Sequence, residues 1–156
     1  MDRVDAGGHR IAIIALLLLV VLLAQGLGAN HASASSGSDQ RRSKMLSLTN
    51  HDRAERDESS LALNVALSRY AERHSDRMAA KGYLFHSTDL AAKLKGLDWT
   101  IGGENVGVGP TLDGLESAFM KSTPHRKNIL RRAYDHVAIG VVRAKGSFWV
   151  TVIFYG

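Results

Sequence analysis

Two runs near the C-terminus constrain the fold most. His136–Val142 reads HVAIGVV and Ser147–Gly156 reads SFWVTVIFYG, both rich in β-branched and aromatic residues, with the turn-like RAKG between them. That pattern predicts a β-hairpin. The segments before it carry helical periodicity instead. Helices first and paired strands last give an α+β fold, with helices packed on an antiparallel sheet.

The clearest helix follows Asn64, a plausible N-cap. Leu67, Tyr70, Ala71, His74, Met78 and Ala79 recur at spacings of three and four and share one face. Ser68, Arg69, Glu72, Arg73, Asp76 and Arg77 take the other, and Gly82 ends the helix as a C′ residue. Met45–Arg56 also has helical character. Asp89 or Thr88 can cap a short helix, Leu90–Leu94, closed by Gly96. TLDGLESAFMKS is a further helix with Leu115, Ala118 and Phe119 on its apolar side, stopped at Thr123-Pro124, and HRKNIL is one more short helical turn.

The first residues belong to a different class of segment. Ile11–Ala24 is an uncharged apolar run of 14 residues, followed by a small, polar stretch containing Ala32-Ser33-Ala34. This is the pattern of a secretory signal with an A-x-A cleavage site. At ~1.5 Å per residue the run spans roughly 21 Å, short of a ~30 Å hydrocarbon core. Extension through Gln25–Leu27 would make it an uncleaved anchor. The expected organisation is therefore a signal peptide or membrane anchor over 1–34, a flexible Ser-rich linker over 35–44, and one domain over 45–156. The rest of the chain is expected outside the cytoplasm, secreted or at the cell envelope.

The net charge is +5, and it remains +5 beyond the signal because Arg3 and Arg10 cancel Asp2 and Asp5. That balance suits an anionic wall or membrane surface. Scattered cations on an exported chain argue against nucleic acid as a partner. There is no cysteine, which excludes disulfide staples and thiolate ligands, so the fold rests on its apolar core.

The chemistry then falls to His, Asp, Glu, Ser and Tyr. His74 lies on the apolar helix stripe and is expected to be a core histidine with a backbone partner. His51 reads as solvated, and His136, beside Asp135, as a turn residue. His86 and His125 lie in irregular segments next to scaffold elements, where binding groups gather. A third group is Glu104, alone among the glycines of Ile101–Gly109, IGGENVGVG. Glycines there suit either a surface turn with a solvated carboxylate or a backbone held close to a site.

LNVALSRYAERHSDRMAAKGYLFHS, GGENVGVG, SAFMKSTPHRKNIL and AIGVV occur in this order before a last aromatic-rich strand. In order and spacing the chain resembles the CAP superfamily, the cysteine-rich secretory, antigen five and pathogenesis-related proteins with their SCP domain. It is most similar to the small, cysteine-free bacterial branch. The match covers about Met45–Gly156. The resemblance implies a three-layer α-β-α sandwich with a small antiparallel sheet and a central cleft of two histidines and two glutamates. By position these are His86 of the HS motif, Glu104 of GEN, and His125. The second glutamate falls at Ser122 and is missing, as is common in that branch; Glu116, about two turns away, is not a replacement.

Two imidazoles and a carboxylate can hold Zn²⁺ or another divalent metal with water in the fourth position. The same set can equally share protons and hydrogen bonds without a metal. Three functions follow from these residues. The chain can bind a metal, lipid or sterol, glycan or protein ligand at the cell envelope. It can be a peptidase-like hydrolase with His86 or Glu104 as catalytic base and Ser87 as a less favoured nucleophile. Or the His/Glu set can be purely structural.

Overall fold

The computed structural model describes residues 37–156; the expected signal segment lies outside the described residues. Helix α1 occupies 37–54, followed by β1 (Ala62–Leu63), α2 (Val65–Lys81), α3 (Leu90–Leu94) and β2 (Gly102–Gly109). Then come α4 (Leu112–Lys121), α5 (Thr123–Ile129), β3 (His136–Ala144) and β4 (Ser147–Tyr155). Among the described residues no helix is long and apolar enough to cross a membrane.

Most local stop and start signals act as read; Asp89 stands at the N-cap of α3 but makes no capping hydrogen bond, its carboxylate being taken by Tyr70 and Lys93. Asn64 caps α2 by accepting from Leu67 N at 2.9 Å, and Gly82 closes it at φ 78°. Lys145 and Gly146, at φ 51° and 77°, form the two-residue turn joining β3 to β4. Two boundaries differ from expectation. Residues 37–44, expected in the linker, are the first turns of α1. Arg42 draws them onto the domain: it is 6% exposed, donates to Ile139 O at 3.1 Å and pairs with Glu72 at 3.0 Å. Thr123-Pro124 ends α4 as expected but also opens α5, where a proline in the first turn gives up an amide that would have no helical partner anyway.

The larger difference is β2. The glycine-rich stretch is an eight-residue edge strand, and the sheet order is β1-β3-β4-β2. β2 and β3 flank β4 antiparallel, while two-residue β1 adds in parallel to β3, so the sheet is mixed. Glycine lowers strand propensity, which hides β2 in the sequence. Its glycines answer to neighbours: a Cβ on Gly107 would sit 2.8 Å from Phe119 Cζ, and one on Gly103 2.9 Å from Asn128 Oδ1.

Strand alternation builds two cores. Val137, Ile139 and Val141 of β3 with Val150, Val152 and Phe154 of β4 meet Met45, Leu115, Phe119 and Ile129 from α1, α4 and α5. The opposite face places Ala138, Ile153 and Tyr155 against Leu67, Tyr70 and Ala71 of α2 and Leu94 of α3. This is the α-β-α sandwich. Each fully buried large apolar side chain contributes about 1.5–3 kcal/mol, so this pair of cores can do without disulfides. α2 lies close on the sheet because Gly140 has no Cβ to meet the backbone of Ala71 and Glu72. Ser68, expected on the polar face, is buried instead and accepts from Ile139 N at 3.0 Å.

Candidate functional site

β2 is the edge strand, and consecutive residues on a strand point to opposite faces. Glu104 therefore turns toward the α2 side and Asn105 toward the α4–α5 side. Each captures a different segment. The Glu104 carboxylate accepts from His86 Nδ1 at 2.8 Å, Ser87 N at 2.9 Å and Ser87 Oγ at 2.6 Å. Asn105 Nδ2 donates to His125 O at 3.1 Å, while Asn105 Oδ1 accepts from Asn128 at 2.8 Å. One dipeptide thus clamps the two histidine segments from either side of the sheet edge.

Glu104 is not a solvated turn residue. Its side chain is 4% exposed, beneath a His86 ring that is 62% exposed. A buried carboxylate needs its hydrogen bonds supplied by the protein, and the HS dipeptide supplies three. An ionised carboxylate only accepts, so His86 Nδ1 carries the proton and Nε2 is the outward nitrogen. Nε2 has no hydrogen-bond partner among the described residues.

His125 sits in the first turn of α5, half-buried, with its ring edge-to-face on Phe119 at 5.0 Å between centroids. Burial first, and the nearby charge of His86 second, push its pKa below the ordinary 6.5. The imidazoles are therefore close enough to sense each other. Glu104, however, bonds the His86 segment alone; the residue that reaches the His125 segment is Asn105. Among the described residues no three His, Cys, Asp or Glu side chains are grouped so as to hold a metal ion. The donor chemistry that fits a divalent ion is the imidazole pair, with Glu104 orienting His86 from behind, the arrangement that fixes a metal-binding histidine's tautomer.

A cavity of about 320 Å³ opens beside His86 and Ser87, between α2 and the loop after it, bordered by His74, Arg77 and Asp89. His74 is fully buried. Its Nε2 donates to Phe85 O at 2.8 Å and its Nδ1 accepts from Arg77 at 2.8 Å. It is the core histidine with a backbone partner that its helix position predicts, and the carbonyl it holds directly precedes His86. Tyr70 donates to Asp89 and anchors the far end of the same loop. His51 is exposed and paired with Glu55, and His136 bonds Asp135 at 2.6 Å.

Ser122, at the position of the missing acid, caps the junction of α4 and α5. Glu116 faces away from the cleft, toward α1. Reading the sequence residue by residue misses Asn105 and Asn128. The available signal is strand alternation: once GENVG is a strand, the residue after Glu104 must serve the other face.

The family model for the CAP, cysteine-rich secretory protein family matches residues 46–154. The protein YkwD of Bacillus subtilis is 32% identical over 124 residues, 75% of this chain and 48% of its own length. The chain thus spans about half of that relative. An extracellular protein with an SCP domain from Bacillus anthracis superposes with a TM-score of 0.63 at 24% identity, covering 76% of this chain and 41% of that one. An outer surface protein of Borrelia burgdorferi gives 0.67 at 14%, covering 74% and 92%. Both likenesses show the fold.

Proposed function

Because the chain belongs to the CAP family of cysteine-rich secretory proteins, we propose that it is an exported binding module whose ligand site is the cleft of His86 and His125 at the β2 edge. The observation that carries the reading is the polarity of the His86–Glu104 pair. With Nδ1 committed to the carboxylate, Nε2 is the His86 nitrogen left for a ligand, and the lowered pKa of His125 keeps an imidazole lone pair available there at neutral pH. Two such nitrogens suit a divalent ion of the Zn²⁺ type, completed by water or by groups of an incoming ligand. Glu104 acts as the orienting carboxylate. Export is supported by the apolar run Ile11–Ala24 and by the extracellular description of the Bacillus anthracis protein. A ligand at an anionic envelope is consistent with the +5 charge.

The hydrolase reading draws less support. Glu104 already accepts three hydrogen bonds, and Ser87 donates to that carboxylate rather than to an imidazole. A nucleophilic serine needs a base to take its proton.

Thermal unfolding of the full chain at rising Zn²⁺ concentration tests the binding reading. Linkage requires the midpoint to rise with ligand concentration, by about 2.7 kcal/mol of added stability at 100 times Kd. The gain should be lost in His125→Ala and in His86→Ala. A wild-type midpoint indifferent to Zn²⁺ would remove the metal from the proposal. Zn²⁺-dependent peptide hydrolysis that disappears in a folded Glu104→Gln variant would instead favour the enzyme.

A further inference from the structure

The cavity beside His86 contains a cation that no carboxylate answers. Arg77 lines it from the exposed side of α2. Its polar partners among the described residues are His74 and the Tyr70 hydroxyl, neither of them an acid. Yet the guanidinium is not a loose surface charge. Its Nη2 donates to His74 Nδ1 at 2.8 Å, and its carbon lies 5.9 Å from the centre of the Tyr70 ring. His74 is itself fixed, fully buried and bonded through Nε2 to Phe85 O at 2.8 Å. A buried imidazole thus orients an accessible guanidinium at the cavity wall, so less freedom is lost when a ligand arrives.

The acids nearby are engaged elsewhere. The Glu104 side chain is 4% exposed and accepts from His86 and Ser87. Asp89 accepts from Tyr70 and pairs with Lys93 at 3.3 Å. Neither pairs with Arg77. What remains is an unneutralised guanidinium in a cavity of about 320 Å³, whose lining also offers the Thr88 hydroxyl and the ring of Phe85. That volume is at the small end for ligand pockets.

We propose that this cavity binds a small organic monocarboxylate, its carboxylate on the Arg77 fork and its short apolar end on Phe85. A carboxylate is planar and matches the guanidinium in shape, and its one charge matches one cation. A phosphate dianion would bring a second charge toward Asp89 and Glu104, with Lys93 already paired. An acid held here lies next to His86 and so belongs to the ligand of the cleft, which rests on the reading of the cleft given above. The carboxylate contact itself needs neither His86 nor His125 nor a metal.

The test is titration of the full chain at pH 7 and constant ionic strength with sodium propionate. Binding is followed through the backbone amide NMR signals of Ser87 and Thr88 and the Nε–H signal of Arg77. Propionamide, the neutral isostere, and propylammonium chloride are the controls. The expected result is saturable shifts with propionate and none with either control. Arg77→Gln should weaken binding roughly tenfold or more. Arg77→Lys should recover only part of it, because the charge returns without the fork. Unchanged His74 ring signals in both variants would show that the loop is intact. Non-saturable shifts, equal affinity in Arg77→Gln, or tighter binding of inorganic phosphate than of propionate would overturn the proposal. A chelator and His125→Ala should both leave propionate binding unchanged, whereas either would abolish a Zn²⁺ response, so the two readings can fail separately.

Discussion

Glu116 is where single-residue chemistry departs furthest from its ordinary state. Desolvation raises its pKa from 4.5 to about 7; the Thr49 hydroxyl opposes the shift, and the charge of Asp52 adds to it. His51 and Asp52 face it from α1, Arg56 from the turn after α1, and Asp113 and Lys121 from α4. Its pKa is higher folded than unfolded, so the folded state keeps the proton longer. Stability should therefore fall as pH rises from about 4.5 to about 7 and stay lower above that. At 1.36 kcal/mol per pKa unit the loss is roughly 3 kcal/mol. Urea unfolding between pH 4 and 8 should show this slope, and Glu116→Gln should flatten it and be the more stable protein at pH 8. None of this is legible in the sequence. The helix pattern places Glu116 beside the apolar face of α4, but only the packing of α1 decides that it is sealed. Glu104, by contrast, was marked by its isolation among glycines, and its burial fits that signal.

Among the elements, α1 carries the least expected anchor. Arg53 is fully buried and donates to Ser59 O at 2.7 Å, Ile129 O at 2.7 Å, Arg131 O at 3.1 Å and Tyr134 O at 3.3 Å. One guanidinium thus ties the end of α1 to the end of α5 and to the loop entering β3. Arg53→Ala should cost about 3 kcal/mol or more, because buried carbonyls lose charged donors. Arg53→Lys should recover less than half, since one ammonium cannot reproduce the planar fork. Chemical denaturation of both variants measures it. In MLSLTNHDRAER the residue looks like one more charge on a solvated face. The elements read correctly were those governed by neighbours in sequence: the Asn64 cap, the Gly82 stop and the Lys145-Gly146 turn. β2 escaped because its glycines are set by Phe119, Tyr134 and Asn128, which arrive from elsewhere in the chain.

At the scale of the whole molecule, the sandwich gives each cleft histidine its own layer. His86 comes from the α2 side and His125 from the α4–α5 side, and they can meet only around the edge of the sheet. The family resemblance implies both residues and the layered fold, of which the structure bears out the fold. It did not supply the division of labour, in which Glu104 orients His86 while Asn105 and Asn128 hold the His125 segment. That division follows from the alternation of β2 and its place at the edge. It makes the separation of the two rings sensitive to Asn105: Asn105→Ala should loosen α5 and weaken Zn²⁺ binding while leaving the His86–Glu104 pair intact. The claim on which the functional reading depends is that the two imidazoles face one another. NMR titration of the His125 ring protons tests it most directly, in the wild type and in His86→Ala. The midpoint should lie below 6.5 in the wild type, since burial and the charge of His86 both lower it. Removal of His86 should return it part of the way toward 6.5. A midpoint at or above 6.5, or one unmoved by His86→Ala, would contradict a shared cleft.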